Sequence, residues 1–135
     1  MASICLLDST VIIDDINNRN CRSQLLDGLL AEGILLACCS INVTEVYMGM
    51  RPNEAARTET FLSSLEFYPV TWEAAKYAGT LYRKWRQKGV TLALPDLTIA
   101  AVAIINGLRF ATDNRKDFPM PELHFYALPR AEESA

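Results

Sequence analysis

The sequence predicts a single α/β domain, a three-layer α/β/α fold with a mostly parallel central sheet. Short apolar runs alternate along the chain with amphipathic segments of helical period, the pattern of strand–helix–strand units. The 135 residues, half of them hydrophobic, suffice for one compact core. We therefore assign residues 1–128 to one domain and expect residues 129–135 to be a flexible tail.

The predicted elements follow one another in a regular alternation. The strands are expected at residues 4–7, 34–39, 67–70, 109–111 and 123–128. The helices are expected at residues 9–16, 21–31, 40–50, 53–65, 71–88 and 96–106, three of them ended by a glycine. Parallel strands in such a unit all end at one edge of the sheet, which is where open α/β folds keep their ligand sites.

Composition excludes several kinds of chemistry. The formal charge of −3 means that the domain as a whole is not a basic nucleic-acid binder. A single histidine, His124, excludes a mechanism with two imidazoles and disfavours a His-rich zinc site. The four cysteines have no C-x-x-C spacing, which predicts reduced thiols in a cytoplasmic protein. No apolar run approaches the length of a membrane span.

Acidic residues stand at the junctions of these elements. Asp8 directly follows the first strand, and Asp113 follows the fourth. Asp96 begins an otherwise apolar helix, and Glu45 lies in the helix after the second strand. Because these junctions share one sheet edge, the four carboxylates are expected to converge on one point.

A cluster of carboxylates predicts a metal site. Crowded like charges destabilise the fold unless a cation binds them, and oxygen ligands without His or Cys suit Mg²⁺ or Mn²⁺. Such an ion leaves room for a phosphodiester and can activate water. Simpler roles stay open: helix N-caps for Asp8 and Asp96, a capping box for Glu45, and a solvated surface for the acidic residues of the loop 112–117.

Four segments of the chain carry a family resemblance. They read L-L-D-S-T-V-I-I-D at 6–14, S-I-N-V-T-E-V-Y-M-G at 40–49, L-P-D-L-T-I-A-A-V-A at 94–103 and L-R-F-A-T-D-N-R-K-D-F at 108–118. In this order they resemble the four motif blocks of PIN-domain proteins, most closely the VapC-type toxins of type II toxin–antitoxin systems. The resemblance extends over residues 4–128.

This resemblance implies a PIN-like fold and a Mg²⁺- or Mn²⁺-dependent endoribonuclease. Asp8 and Asp96 would be the principal metal ligands, and Glu45 would bind metal or orient the nucleophilic water. The fourth acidic position is open: the family's spacing puts Asn114 there, whereas we expect Asp113 or Asp117 to line the site. Where many relatives have Asp-Thr-Asn, this chain has Asp8-Ser9-Thr10.

The resemblance also implies partners: an RNA substrate, a cognate antitoxin whose tail lies across the active-site groove, and a second copy of the chain in a homodimer. Arg115 and Lys116, in the fourth motif, are expected to contact RNA and so to answer the objection from net charge. Basic residues also crowd the helix 71–88, where a solvated face is an equal alternative. The Trp72–Trp85 stripe of that helix is predicted to be core or dimer interface.

Two other functions were weighed against a nuclease. One is a catalytically weak PIN-like binding module that holds an antitoxin and modulates its DNA binding. The other is a different phosphoryl enzyme, such as a D-x-D phosphatase or a receiver domain. Asp8-Ser9-Thr10 lacks the second aspartate of D-x-D, and no suitably placed lysine follows a late strand.

Overall fold

A computed structural model of the protein describes residues 3–128. The predicted tail, 129–135, lies outside the described residues. In this part of the chain the strands are β1 (Ile4–Leu7), β2 (Leu35–Cys39), β3 (Glu66–Tyr68), β4 (Arg109–Ala111) and β5 (His124–Phe125). The helices are α1 (Ser9–Ile16), α2 (Arg22–Ala31), α3 (Ser40–Met48), α4 (Ala55–Ser63), α5 (Trp72–Gln87) and α6 (Leu94–Ile105). Short 3₁₀ turns span Pro52–Glu54 and Arg115–Asp117.

The sheet has the order β3-β2-β1-β4-β5, and every neighbouring pair of strands in residues 3–128 is parallel. Cys5 in the central strand is level with Leu36 on one side and Arg109 on the other. The α/β class with a parallel central sheet is thereby confirmed. All five strands consequently end at one edge, which we call the carboxyl edge; the opposite edge is the amino edge.

Alternation along the strands separates two hydrophobic cores. Leu6 faces the layer formed by α5 and α6, while Cys5 and Leu7 face the layer that includes α1 and α2. The middle of helix α6, residues 97–103, is buried, as its apolar sequence predicts. Within residues 3–128 no helix is both long and apolar enough to cross a lipid bilayer.

Several element boundaries differ from the predictions, for local reasons. Helix α2 begins at Arg22, because Cys21 before it is in the left-handed region with φ of 55°. Helix α6 begins two residues earlier than predicted, at Leu94, because a proline is tolerated in the first turn. Strand β3 ends at Tyr68, and the N–H of Val70 donates to the Ser40 hydroxyl instead (3.1 Å).

Candidate active site

Asp8 lies where β1 becomes α1. Its N–H donates to the Ala111 carbonyl of β4 (2.9 Å), and its Oδ1 accepts the N–H of Ser9 (2.8 Å). The simpler role as a helix cap is therefore real. The second carboxylate oxygen, Oδ2, has a different use, because it accepts the Thr112 hydroxyl (2.7 Å) at the end of β4. Asp8 thus joins the ends of two neighbouring strands at the carboxyl edge.

A chain of side-chain hydrogen bonds connects α1 to α3. The Ser9 hydroxyl donates to Glu45 Oε1 (2.6 Å) and accepts from the Asn42 amide (2.9 Å). Asn42 is fully buried, and its Oδ1 accepts the Cys39 N–H (2.8 Å), so this residue takes the capping role considered for Glu45. Glu45 is thereby held next to the loop of Asp8 rather than at the helix start.

Asp96 lies in the first turn of α6 and is half-buried. Burial raises the pKa of its carboxyl to about 6, with further increases from the negative charges of Asp8, Asp117 and Glu45. Burial also raises the pKa of Asp8, an effect that the Glu45 and Asp113 charges reinforce and hydrogen bonds from Thr112 and Ser9 oppose. The carboxylates predicted to converge therefore act on one another electrostatically.

The two candidates for the fourth acidic position have different surroundings. Asp113 accepts a hydrogen bond from Arg22 Nη2 at 2.5 Å, in an ion pair with a buried guanidinium. Asp117 ends the 3₁₀ turn Arg115–Asp117, is exposed, and contributes to the raised pKa of Asp96. The backbone N–H of Asn114 donates to the Thr112 hydroxyl (3.0 Å). Of these two acidic residues, Asp117 is thus the one whose charge raises the pKa of Asp96.

The donor set is compatible with a hard divalent cation. Within residues 3–128 no three His, Cys, Asp or Glu side chains converge closely enough to enclose an ion by themselves. Mg²⁺ does not need such a cage, since it keeps several waters and takes one or two carboxylates. Asp8 and Asp96 offer only oxygen atoms as ligands. The pKa of each carboxyl is raised, and a bound cation would lower it again.

The basic residues are divided between the two edges. Arg115 and Lys116 lie in the turn between Thr112 and Asp117, at the carboxyl edge, and the Arg115 guanidinium stacks 4.7 Å from the centre of the Phe125 ring. Lys84 of α5, in contrast, lies 3.8 Å from Glu122, which precedes β5 at the amino edge. Lys84 therefore does not lie among the carboxylates of the carboxyl edge.

Sequence reasoning missed the non-acidic residues that hold the carboxylates in place. Thr112 and Asn42 hold Asp8 and the Ser9–Glu45 pair, yet each looks like an ordinary polar residue in its segment. Both fall inside the motif blocks at 40–49 and 108–118, which is the signal that could have identified them. Arg22, which lies outside the four blocks, was missed entirely. The Ser9 hydroxyl, which lies directly after Asp8, donates to Glu45 and accepts from Asn42.

Comparison with known proteins defines the class. Residues 5–120 match the PIN domain family, so the chain belongs to the PIN-domain proteins. The predicted resemblance is confirmed.

Among characterised relatives, the chain is similar to Ribonuclease VapC19 of Mycobacterium tuberculosis, with 31% identity over 87% of this chain and 95% of the relative. Ribonuclease VapC10 of the same organism is 32% identical, covering 87% of each chain. A crystal structure of VapBC2 from Rickettsia felis bound to a DNA fragment from their promoter contains a similar chain. Its TM-score is 0.81 at 27% identity, over 91% of this chain and 97% of that one.

Proposed function

We propose that this protein is a Mg²⁺-dependent endoribonuclease, the toxin of a type II toxin–antitoxin module. One observation carries the proposal. Asp8 and Asp96 lie at the carboxyl edge of a PIN-domain sheet, where burial raises the pKa of both carboxyls and the charge of Asp8 raises the pKa of Asp96 further. No Lys or Arg of residues 3–128 forms an ion pair with either carboxylate. The relatives named as ribonucleases support RNA as the substrate.

Each side chain has a role in this proposal. Asp8 and Asp96 hold Mg²⁺, or Mn²⁺ in its place, and Asp117 adds negative charge beside Asp96. When bound, the cation supplies Lewis-acid chemistry, which withdraws charge from a phosphoryl oxygen and acidifies water. Glu45, held by the Ser9 hydroxyl at 2.6 Å, orients the attacking water. Thr112 fixes the rotamer of Asp8.

A polar cavity beside Asp8 supports the RNA contact. Its volume is about 550 Å³, and it is lined by the loop residues 112–116 together with Leu128. Arg115 and Lys116 give this cavity two positive charges within a chain of net charge −3, and the one acid in its lining, Asp113, is paired with Arg22. Phosphates of an RNA strand that reaches the carboxylates would bind here, so local charge outweighs net charge.

A second groove supports an antitoxin as partner. It has a volume of about 480 Å³, and its apolar floor lies between α2 and α4, where Leu26, Leu36 and Phe61 line it. Asp27 and Glu66 add negative charge to its lining. This combination suits an amphipathic helix with basic flanks, and the similar structure from Rickettsia felis is a VapBC complex.

The α5–α6 layer supports a homodimer. Trp72 is 86% exposed and Leu94 72% exposed, next to a groove of about 430 Å³ lined mainly by apolar side chains, including Tyr82. Apolar patches of this kind favour burial against a second copy. Sedimentation of Trp72→Ser as a monomer, against a dimer for the unaltered chain, is the expected result. We further propose a cytoplasmic location, in keeping with the buried thiols of Cys5, Cys38 and Cys39.

Cleavage assays test the nuclease directly. Purified protein should cut RNA with Mg²⁺, lose activity in EDTA, and regain it when Mg²⁺ is restored in excess. Asp8→Ala and Asp96→Ala should be inactive while still binding the antitoxin. Activity that survives both EDTA and these substitutions would contradict the mechanism. An unaltered chain that holds the antitoxin but never cleaves RNA would favour the binding-module alternative.

A further inference from the structure

Arg22 is the largest fully buried side chain and is the first residue of α2. It is 1% exposed, and its one ion pair within residues 3–128 is with Asp113, 91 residues further along the chain. Its Nε and Nη1 have no hydrogen-bond partner in residues 3–128. Burying a guanidinium with unsatisfied N–H groups is costly, and such a cost in a native fold calls for a functional reason.

An unusual turn delivers this side chain to the interior. Asn18, Asn20 and Cys21 all adopt left-handed backbone angles, with φ between 53° and 55°. Asparagine tolerates this region, whereas cysteine does so rarely. The turn is held by the Asn20 amide, which donates to Asp14 Oδ2 (2.9 Å). The chain thus accepts local strain immediately before Arg22.

Asp113 connects Arg22 to the active site. The preceding residue, Thr112, donates its hydroxyl to Asp8 Oδ2 (2.7 Å), and the next residue, Asn114, donates its N–H to the same hydroxyl (3.0 Å). Because Asp113 directly follows Thr112, an ion pair that holds Asp113 in place also holds the backbone of Thr112. The same loop continues through Arg115 and Lys116 to Asp117, beside Asp96.

We propose that Arg22 is a positioning residue of the nuclease: by its ion pair with Asp113 it holds the loop 112–117 so that Thr112 stays on Asp8 and the metal site keeps its shape. The inference rests on the proposed function, since it assumes that Asp8 binds metal. Arg22 acts through Asp113 and does not touch the substrate. Its role differs from simple stabilisation, because its effect is on metal affinity.

The test compares Arg22→Met, Asp113→Asn and the double variant in the full-length chain. For each, RNA cleavage is measured as a function of Mg²⁺ concentration, and the melting temperature is measured in parallel. We expect the half-saturating Mg²⁺ concentration to rise roughly 10-fold in either single variant, the size of effect found when an outer partner of a metal ligand is lost. Because the two residues act as one unit, the double variant should be little worse than the singles.

Two comparisons separate positioning from general destabilisation. Arg19→Met makes the same substitution at an exposed arginine of the same turn and should leave the half-saturating concentration unchanged. Asp113→Asn keeps the size of the side chain at an exposed position, so it should fold even if Arg22→Met does not. A lower melting temperature with unchanged or tighter Mg²⁺ dependence in both single variants would overturn the proposal, as would fully additive effects.

Failure of the proposed function is distinguishable from failure of this inference. If the unaltered chain does not cleave RNA, Mg²⁺ alone is titrated by calorimetry into the same proteins. Weaker Mg²⁺ binding in Arg22→Met and Asp113→Asn than in the unaltered chain would sustain the positioning role without a ribonuclease. Equal binding in all of them, or no binding by the unaltered chain, would overturn it.

Discussion

Carboxylates at the two edges of the sheet differ in whether they have a cationic partner. At the amino edge, Glu122 accepts the Tyr77 hydroxyl (3.2 Å) and lies 3.8 Å from the Lys84 ammonium. At the carboxyl edge, Asp8 and Asp96 form no ion pair with any Lys or Arg of residues 3–128. Burial raises the pKa of both carboxyls, and neighbouring negative charges raise them further. Glu122 is thus paired within the protein, whereas Asp8 and Asp96 have no cationic partner in residues 3–128 and remain available to a ligand.

This difference indicates that the carboxyl edge is less stable than it would be if Asp8 and Asp96 were paired with cations. A Lys or Arg near Asp96 would relieve the repulsion, and Arg22 shows that the chain can bring a guanidinium to this region. That cation pairs with Asp113 instead, so Asp8 and Asp96 keep their negative charge for a ligand. Sites that bind ligands commonly conflict with the most stable arrangement in this way.

The largest expected effect is on activity at the carboxyl edge. Asp96→Asn removes one of the oxygens proposed to bind metal, and one negative charge, with almost no change of volume. Since even outer-sphere changes cost 10–100-fold, we expect RNA cleavage to fall by at least about 100-fold at saturating Mg²⁺. Initial rates on a defined RNA measure this. Residual activity within a few-fold of the unaltered chain would show that Asp96 does not bind the metal.

A smaller loss is expected for the residue that orients Asp8. Thr112→Val keeps the shape of the side chain but removes the hydroxyl that donates to Asp8 Oδ2. We expect a loss of roughly 10-fold in cleavage at low Mg²⁺. Thr80→Val is the matched control, because the Thr80 hydroxyl bonds a carbonyl of its own helix on the exposed face of α5. Equal losses in both variants would contradict a specific role for Thr112.

The stability of the metal-free protein should depend on pH through Asp96. The pKa of Asp96 is raised to about 6 in the folded state, whereas an unfolded aspartate titrates near 3.9. Between these values the folded state binds more protons, so in EDTA the stability falls as pH rises from about 4 to about 6. Asp96→Asn should therefore melt higher than the unaltered chain at pH 7.5, by roughly 3 °C.

Two controls test this assignment by thermal melting. The advantage of Asp96→Asn should shrink as the pH is lowered toward 4, where the native carboxyl is already protonated. Added Mg²⁺ at pH 7.5 should stabilise the unaltered chain and leave the variant nearly unchanged, which reverses their order. A variant that melts lower than the unaltered chain in EDTA at every pH would refute the electrostatic interpretation of this site.

The acid at the end of the first strand was predictable, and the reason is geometric. Asp8 follows an apolar strand whose type could be inferred from its length, and parallel strands bring such ends to one edge. Asp96 begins α6, which follows helix α5 rather than a strand, so its place near Asp8 depended on the motif block at 94–103. The element order followed from the same alternation. Boundaries were less predictable where a single backbone angle decides them, as at Cys21 before α2.

Arg22 and the choice between Asp113 and Asp117 could not be predicted in this way. The burial of Arg22 depends on three left-handed residues and on an acid 91 positions away, neither of which leaves a periodic signal. The 3₁₀ turn Arg115–Asp117 separates the surroundings of the two acids, so that one pairs with Arg22 while the other affects Asp96. Both outcomes depend on contacts between distant segments.

The smallest effect is expected at the amino edge, and it tests whether only the carboxyl edge serves the reaction. Glu122→Gln removes the negative charge near Lys84 but keeps a group that can accept from the Tyr77 hydroxyl. A partly exposed pair separated by 3.8 Å contributes little, so the free energy of unfolding should change by less than about 1 kcal/mol. Cleavage and its Mg²⁺ dependence should match the unaltered chain. A loss of activity comparable to that of Asp96→Asn would mean that the amino edge also serves the reaction, and the division between the two edges would fail.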